Sequence, residues 1–291
     1  MSVPLAFIGV VLFWSTTPLA IKWSGDDVGF LFGATSRMML GGLLAVLAVI
    51  ALRISYGMTA QAKRAYFASG IGIYVAMLFG YWGSRYIPSG WISVIWGASP
   101  MLTGILASIF LGERLTALRI MGLLFGLVGL SVIFLQSTRM TEGAVLGVFL
   151  VVIGVIGQTS SAVWIKKINA QEHGLVMTAG GLIVSVPLFI LTWLIFDGNI
   201  PETVPVRTGA SIIYLAVFGS LLGFSLYYFL IHKVEASKVS LITMITPVTA
   251  LMLGAYLNDE VITLNIIIGT TLILFGLMTF QWGDKWLHRD C

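Results

Sequence analysis

Long apolar runs separated by short polar connections make up almost the whole chain. A helix that crosses a bilayer needs roughly 20 predominantly apolar residues. With turn residues and charges as boundaries, the pattern predicts ten transmembrane helices, near residues 3–23, 28–52, 64–86, 89–111, 116–136, 142–166, 174–196, 208–231, 235–257 and 261–282. The longest polar stretches, residues 53–63 and 197–207, leave no room for an additional soluble domain.

The composition also favours a chain embedded in lipid. Hydrophobic residues make up 58% of the 291 residues and charged residues only 10%, and the mean hydropathy is +1.00. Soluble domains carry roughly 25% charged residues, because charged groups must cover their exterior. Lipid removes that requirement. The sequence therefore predicts an all-α integral membrane protein.

Several other classes of protein are excluded by charge and motif content. The 16 basic residues, which give a net charge of +4, are scattered between apolar runs, whereas nucleic-acid binding needs them on one face. The single cysteine, Cys291, provides neither a disulfide framework nor a zinc spacing. The chain has no metalloprotease, nucleotide-loop or serine-hydrolase motif. We expect no cofactor, no metal, no nucleic-acid partner and no enzymatic activity.

The distribution of basic residues predicts the orientation. Connections on the cytoplasmic side of bacterial-type inner-membrane proteins are enriched in Lys and Arg. If the N-terminus is cytoplasmic, the predicted inner loops and tail hold 11 basic residues and the outer ends hold 4, with Arg37 inside a helix. We therefore expect a multi-pass inner-membrane protein whose two termini are both cytoplasmic.

An internal repeat relates the two halves of the chain. A shift of 147 residues aligns Pro100 with Pro247 and Glu113 with Glu260. It also aligns two pairs of glycines, Gly122 with Gly269 and Gly129 with Gly276. We predict one transmembrane domain made of two repeats, residues 1–140 and 141–291, with five helices each. Because five is odd, the second repeat would enter the membrane from the opposite side.

The segment Leu-Gly-Glu-Arg-Leu-Thr at 111–116, followed by glycines at 122, 126 and 129, resembles the signature of the drug/metabolite transporter superfamily, EamA type. Ala98-Ser99-Pro100, Arg37 and Phe13-Trp14-Ser15 strengthen the resemblance, which covers essentially the whole chain. It implies two inverted five-helix repeats, a central cavity and alternating access, often for export of amino acids or related metabolites. The second half departs from the pattern, because Asn258-Asp259-Glu260 replaces the usual Gly-Glu.

Arg37 is the one charge that the sequence places well inside a predicted helix. Such charges are costly in lipid and usually face a cavity or a partner. Its guanidinium suits a substrate carboxylate or phosphate. Alternatively, Arg37 hydrogen-bonds carbonyls of a broken helix or extends toward the lipid headgroups, and the resemblance favours such a structural role, since family members keep the arginine for different cargo. No Asp or Glu lies at a comparable depth, so we expect no buried carboxylate relay.

Aromatic and hydroxyl side chains recur at helical spacing and could line a cavity. The candidate substrate-binding residues are Trp14, Thr17, Arg37, Tyr74, Tyr81, Trp82, Trp96, Gln158, Ser161, Trp164, Tyr227, Tyr228 and Thr243. Interfacial anchoring or helix packing would explain the same stripes.

Prolines and glutamates suggest hinges and gates. Pro18, Pro100 and Pro247 lie inside predicted helices, where proline removes a backbone hydrogen bond and bends the axis. Glu113 and Glu260 stand at the starts of the fifth and tenth helices, where a carboxylate is stabilised by unpaired amides. We expect capping first, and gating pairs with nearby bases as the alternative.

These features favour a secondary transporter that exports amino acids or related metabolites. A carrier of quaternary ammonium cations through an aromatic-lined cavity is the alternative, and an integral-membrane enzyme or an inert scaffold has less support. The expected partners are a small-molecule substrate and membrane lipid, with the chain as a monomer or a weak dimer.

Overall fold

The computed structural model describes residues 2–112, 115–137, 142–170, 172–223, 225–226, 229–230 and 241–287. All regular secondary structure in these ranges is helical. The helices are α1 (Val3–Gly25), α2 (Phe30–Ala51), α3 (Ala60–Ser84), α4 (Ser89–Gly97), α5 (Ser99–Leu111), α6 (Ala117–Ser137), α7 (Ala144–Ile168), α8 (Gly174–Phe196), α9 (Val206–Tyr214), α10 (Leu241–Asn258) and α11 (Leu264–Leu287). A π-helical segment, Leu215–Leu222, continues α9.

Length and hydropathy make this helical fold a multi-pass membrane protein. Within the described ranges, eight spans are long and apolar enough to cross a bilayer, with α4 and α5 counted together as Ser89–Leu111. Two shorter apolar segments, Val206–Leu222 and Ile242–Asn258, accompany them. These ten segments overlap the ten predicted helices. The third span begins at Ala60 rather than near residue 64, and α11 ends at Leu287 rather than near residue 282.

The fourth predicted helix, 89–111, is not continuous: it breaks at Ala98 into α4 and α5. Pro100 explains the break, because proline has no N–H to donate to the carbonyl four residues earlier, which is that of Trp96. The Trp96 carbonyl instead accepts hydrogen bonds from the backbone N–H of Ala98 and from Oγ of Ser99. Pro18 and Pro247, by contrast, lie inside α1 and α10 without ending them.

The eighth predicted helix, 208–231, differs from a regular α-helix in the described residues. It begins at Val206 and changes at Leu215 into the π-helical segment. A π-helix makes i→i+5 hydrogen bonds and is often found at functional sites. The hydropathy pattern did not predict this change, because both helix types can be built from the same apolar residues.

Close approach of glycines joins α6 to α11. A Cβ built on Gly122 would lie 2.6 Å from the carbonyl oxygen of Gly276, and one on Gly129 would lie 2.6 Å from that of Gly269. Only residues without a side chain allow the backbones so near. The 147-residue shift aligns Gly122 with Gly269 and Gly129 with Gly276. The contacts cross this alignment, because Gly122 meets Gly276 and Gly129 meets Gly269.

Polar contacts join the helices at both ends of the bundle. At one end, called here the Glu260 end, Trp23 Nε1 donates to Asn258 Oδ1 over 3.0 Å, and Thr208 Oγ1 donates to Asp27 Oδ2 over 2.9 Å. At the opposite end, called the Arg64 end, α3 begins and α7 ends. There Gln61 Nε2 donates to the carbonyl oxygens of the last residues of α7.

Candidate functional site

Arg37 lies inside the bundle, on the second turn of α2 counted from the Glu260 end. Its side chain is buried, with an exposed fraction of 2%. Among the described residues, neither Nε nor Nη1 has a hydrogen-bond partner. A buried donor that is left without a partner is costly, and more so when it is charged. These two unpaired nitrogens of a buried guanidinium are the strongest indication of a ligand site in the part of the chain that the structure describes.

Three helices and the π-helical segment position the surroundings of Arg37. A Cβ built on Gly219 would lie 3.2 Å from Nη2 of Arg37 and 3.4 Å from Oγ1 of Thr17, so both side chains approach the same point of the backbone. The guanidinium carbon lies 5.9 Å from the ring centroid of Tyr81. We call Thr17, Arg37, Tyr81 and Gly219 the Arg37 cluster.

Tyr81 is fixed by its own hydrogen bond. The ring is fully buried, and its hydroxyl accepts a hydrogen bond from Oγ of Ser24 over 3.1 Å. Ser24 Oγ also lies 2.9 Å from the carbonyl oxygen of Ile21. A cation over an aromatic face is attracted by the negative face of the ring. The Tyr81 ring therefore stabilises the positive charge of Arg37, and the guanidinium remains charged.

The π-helical segment is joined to α1 beside the Arg37 cluster. Phe218 contacts Phe13 and Tyr214, with ring centroids 5.1 Å apart in each pair. Thr16 Oγ1 and the Tyr214 hydroxyl are hydrogen-bonded. A Cβ on Gly223 would lie 2.9 Å from Nε1 of Trp14. Gly219 and Gly223, which are four residues apart, thus both lie against α1, the first near Thr17 and the second near Trp14.

A second group of predicted residues meets where α4 breaks. A Cβ on Gly97 would lie 3.1 Å from Cγ of Pro247 and 3.7 Å from the carbonyl oxygen of Thr243. Trp96, which is half-buried, directly precedes Gly97, and Pro100 is the second residue of α5. The contact thus joins α10 to Gly97, which follows Trp96 in the chain, whereas the Trp96 side chain packs against the hydrophobic cluster that contains Trp91 and Ile92.

The other aromatic residues predicted on α3 face different neighbours. The Tyr74 hydroxyl is hydrogen-bonded to Thr192 over 2.6 Å, and its ring meets Phe189 edge-on, so Tyr74 belongs to the interface between α3 and α8. Trp82 stacks between Phe30 and Phe79, with centroids 6.2 Å apart in both pairs. Neither side chain makes a described contact with the Arg37 cluster.

The three predicted residues of α7 lie on its interface with α3. Ser161 Oγ donates to the carbonyl oxygen of Ala68 over 2.8 Å, and a Cβ on Gly72 would lie 3.7 Å from Oε1 of Gln158. Trp164 is 47% exposed and meets Phe67 edge-on at the Arg64 end. These positions fit helix packing and an outward surface rather than contact with Arg37. Tyr227, Tyr228 and Glu113 lie outside the described residues.

Glu260 caps a helix other than its own. Its carboxylate oxygens accept hydrogen bonds from the backbone N–H groups of Ser89 and Gly90, at 2.9 and 3.2 Å, and from Ser89 Oγ. The expected capping of the tenth helix is therefore replaced by capping of α4. Asn258 Nδ2 donates to the same carboxylate, and Lys22 Nζ lies 4.0 Å from it. Nearby, partial burial raises the pKa of Asp26, although the charges of Lys22 and Arg207 oppose the shift.

The sequence interpretation missed two parts of the site. Ser24 was not among the candidate residues, and the π-helical segment was predicted as part of a regular helix. A signal for Gly219 was present, because Gly219 and Gly223 are four residues apart, as small residues at close helix contacts often are. Within the described ranges, no three His, Cys, Asp or Glu side chains cluster in a way that would hold a metal ion.

Comparison with known proteins places the chain among transporters. An "Uncharacterized transporter" of Archaeoglobus fulgidus is 27% identical over 275 residues, which cover 92% of this chain and 94% of the relative. A "Probable amino-acid metabolite efflux pump" of Escherichia coli (strain K12) is 26% identical, with 95% of this chain and 94% of the relative covered. A solved structure described only as a crystal structure of a protein shares the fold, with a TM-score of 0.69, 19% identity and 98% coverage of both chains.

The family assignment comes from two matches along the chain. The model of the EamA-like transporter family matches residues 1–135 and again residues 145–280. The relatives are described as transporters and efflux pumps rather than as enzymes. The two matched ranges and the apolar helices together cover nearly the whole chain, and they agree with the resemblance found in the sequence. This chain belongs to the EamA-like transporter family and is a multi-pass membrane transporter, not an enzyme.

Proposed function

We propose that this transporter moves a small metabolite that carries a carboxylate, such as an amino acid or a related compound, and that Arg37 binds the carboxylate. The observation that carries the proposal is the buried guanidinium whose Nε and Nη1 have no partner among the described residues. Leaving a buried donor unpaired costs about 1–3 kcal/mol, and more for a charged group. A ligand carboxylate, with any water that accompanies it, would satisfy these donors.

The neighbours of Arg37 suit such a ligand. Thr17 Oγ1 donates its hydrogen to the carbonyl oxygen of Phe13 over 2.7 Å, so it can accept a hydrogen bond from an amino group of the ligand. Tyr81 offers an aromatic face that holds the guanidinium in place. No carboxylate is within ion-pair distance of Arg37 in the part of the chain that the structure describes. The positive charge at this point is therefore free to attract an anionic group. The relative described as an amino-acid metabolite efflux pump supports the same class of cargo.

The alternative cargo, a quaternary ammonium cation, has less support. Two like charges 4 Å apart at an effective dielectric constant of 20 repel each other by roughly 4 kcal/mol. An ammonium group bound beside Arg37 would meet that repulsion. The aromatic side chains near Phe218 would favour a cation only if it bound away from the guanidinium.

We also infer two inverted five-helix repeats with alternating access, in an inner membrane, with both termini cytoplasmic. The double family match and the reciprocal glycine contacts between α6 and α11 support the repeats. The basic residues of the Arg64 end support a cytoplasmic location for that end. The topology is tested by reporter fusions after residues 203 and 291: we expect an outward reporter at 203 and a cytoplasmic one at 291. The reverse result would contradict the orientation.

The cargo is tested by a thermal-shift screen of purified protein against amino acids, quaternary ammonium compounds and sugars. A ligand at 100 times its Kd stabilises the folded state by about 2.7 kcal/mol. We expect amino acids or related carboxylates to raise the melting temperature. Arg37→Gln should abolish this response, and Arg37→Lys should weaken it, while Arg85→Gln, at an exposed arginine, should leave it intact.

Two outcomes of the thermal-shift screen would contradict the proposal. One is an unchanged response in Arg37→Gln, and the other is a wild-type response to quaternary ammonium compounds alone. If transport persists in Arg37→Lys and Arg37→Gln while only the unliganded melting temperature falls, Arg37 is a structural residue.

A further inference from the structure

A groove of about 550 Å³ opens at the Arg64 end, on the side of the bundle away from the Arg37 cluster. It lies between the first turn of α3 and the last turn of α7. The groove is lined by Ala60, Gln61, Arg64, Trp164, Lys167 and Ile168. Two of these side chains are cationic and one is a large aromatic. None of the six residues belongs to the Arg37 cluster.

Each of the two helices that form the groove carries one cationic and one aromatic side chain, three residues apart. The order along the chain is opposite in the two helices. On α3, Arg64 stands near the helix start and Phe67 lies three residues further in. On α7, Lys167 stands near the helix end and Trp164 lies three residues further in. Three residues of α-helix rise about 4.5 Å. Both cations therefore lie at the end of the bundle, and both aromatic rings lie about one turn deeper.

The two rings form an exposed pair. Phe67 and Trp164 meet edge-on, with centroids 6.3 Å apart, and their exposed fractions are 51% and 47%. An aromatic side chain with one polar edge is typical of the membrane interface, where headgroups meet acyl chains. The cations just above the rings would then lie at the level of the lipid phosphates.

The cations of the groove have no competing anion within it. In the described ranges, no ion pair joins Arg64 or Lys167 to a carboxylate. The nearby Glu172 instead accepts hydrogen bonds from Gly57 N and the Tyr66 hydroxyl. Two carbonyl oxygens at the end of α7, those of Ile168 and Asn169, accept hydrogen bonds from Gln61 Nε2 and therefore repel an anion less. The positive end of the α3 dipole and the negative end of the α7 dipole both lie at the groove, so the charges of Arg64 and Lys167 decide its sign.

We infer that this groove binds an anionic phospholipid, whose headgroup phosphate contacts Arg64 and Lys167 and whose acyl chains lie against Phe67 and Trp164. Basic pockets between transmembrane helices recognise acidic lipid headgroups in this way. The aromatic pair below the cations favours a lipid over a free anion, because a free anion would gain nothing from Phe67 and Trp164. The inference is independent of the proposed cargo, since no residue of the Arg37 cluster lines the groove.

The test compares lipids that differ only in headgroup. Purified protein in detergent is titrated with phosphatidylglycerol or with phosphatidylcholine of the same acyl chains, and bound lipid is counted by native mass spectrometry while the melting temperature is recorded. We expect phosphatidylglycerol to bind and to raise the melting temperature, and phosphatidylcholine to do so much less. The preference should decrease as salt is raised, because salt screens exposed charges.

The variants test the location. Each basic residue near an anionic lipid contributes roughly fivefold in affinity, so Arg64→Gln with Lys167→Gln should weaken phosphatidylglycerol binding roughly 10- to 30-fold. The matched control for each single variant is Lys63→Gln, which removes one positive charge from the neighbouring, exposed position outside the groove. The melting temperature without lipid reports folding, and either single variant, with an expected loss of about fivefold, replaces the double variant if that one unfolds.

Three results would overturn the inference. The first is equal binding of the two lipids by wild type. The second is equal loss in Lys63→Gln and the single variants, which would indicate general surface charge. The third is full stabilisation by glycerol phosphate, which carries the anion without acyl chains and would indicate a site for free phosphate compounds. Trp164→Ala should weaken lipid binding but not the binding of glycerol phosphate.

Discussion

The Glu260 carboxylate and the backbone N–H of Ser89 are joined by a hydrogen bond of 2.9 Å, across 171 residues of sequence. Gly90 N and Ser89 Oγ donate to the same carboxylate. The first N–H groups of a helix have no partner within it, and a negative charge at that end is stabilised by the helix dipole. Glu260 therefore fixes the start of α4 to the connection between α10 and α11.

Glu260→Ala should lower the free energy of unfolding, because three donors at the start of α4 would lose their acceptor. Removing a buried partner of this kind costs about 1–3 kcal/mol. The melting temperature in detergent measures the effect. Glu202→Ala is the matched control, since Glu202 is exposed at the same end of the bundle. Equal melting temperatures for the two variants would show that the cap contributes little.

Gly219→Ala should weaken ligand binding without reducing stability. The added methyl group would lie 3.2 Å from Nη2 of Arg37 and 3.4 Å from Thr17 Oγ1, so the guanidinium must shift. Alanine is favoured over glycine in a helix by about 1 kcal/mol. We expect a several-fold weaker response to the amino acid found in the screen, with an unchanged or higher melting temperature without ligand.

Gly80→Ala controls for that substitution, because a Cβ at Gly80 meets no atom within 4 Å. It lies next to Tyr81 in α3 and should leave ligand binding unchanged. If Gly219→Ala binds ligand as well as wild type, the close contact between the Arg37 guanidinium and Gly219 is not needed to position Arg37 for the ligand.

Tyr81→Phe and Tyr81→Leu should separate the hydroxyl from the ring. Tyr81→Phe keeps the aromatic face below Arg37, and Ser24 can still donate to Ile21, so we expect a loss of stability of at most about 1 kcal/mol. Tyr81→Leu removes the cation–π contact, worth about 0.5–2 kcal/mol, and should weaken ligand binding further. Tyr81→Ala would leave a cavity in the core and is expected to destabilise the fold. Equal ligand affinity in the Phe and Leu variants would exclude a role for the ring.

Trp96→Ala and Trp164→Ala should affect transport differently, although both remove a tryptophan. Trp96 is half-buried at the end of α4, next to Gly97, which contacts Thr243 and Pro247, and its loss should lower transport by several-fold. Trp164 faces outward at the Arg64 end and should leave transport within about twofold. The measurement is efflux of the cargo from cells or vesicles at matched protein levels. Unchanged transport in Trp96→Ala would show that Trp96, at the break between α4 and α5, takes no part in transport.

Gly129→Ala should destabilise the fold more than Gly126→Ala. The methyl group at Gly129 would meet the backbone oxygen of Gly269 at 2.6 Å, and backbone cannot move aside without separating α6 from α11. The methyl group at Gly126 would meet only the flexible end of Met101. We expect a cost above about 2 kcal/mol at Gly129, as overpacking costs typically 1–3 kcal/mol. Equal melting temperatures for Gly129→Ala and Gly126→Ala would mean that α6 and α11 can move apart at Gly129 without a loss of stability.

The transmembrane segments could be predicted from the sequence because their cause is local. A span must be apolar over the thickness of the bilayer, and a run of residues such as 174–196 satisfies that condition whatever its neighbours are. The break at Ala98 was implied by Pro100, which the sequence marked as a bend rather than a break. The family was predicted from short motifs and is confirmed by the match of the family model to both halves.

The site residues required the tertiary structure. In a soluble protein, hydropathy distinguishes the buried face of a helix from the exposed one, but in a membrane the outward face meets lipid that is as apolar as the interior. Trp164 and Tyr81 therefore look alike in the sequence, whereas one lies 47% exposed and the other is fully buried beside Arg37. Glu260 was expected to cap its own helix because it stands near the start of that helix in the sequence, and only the packing of the bundle decided that it caps α4.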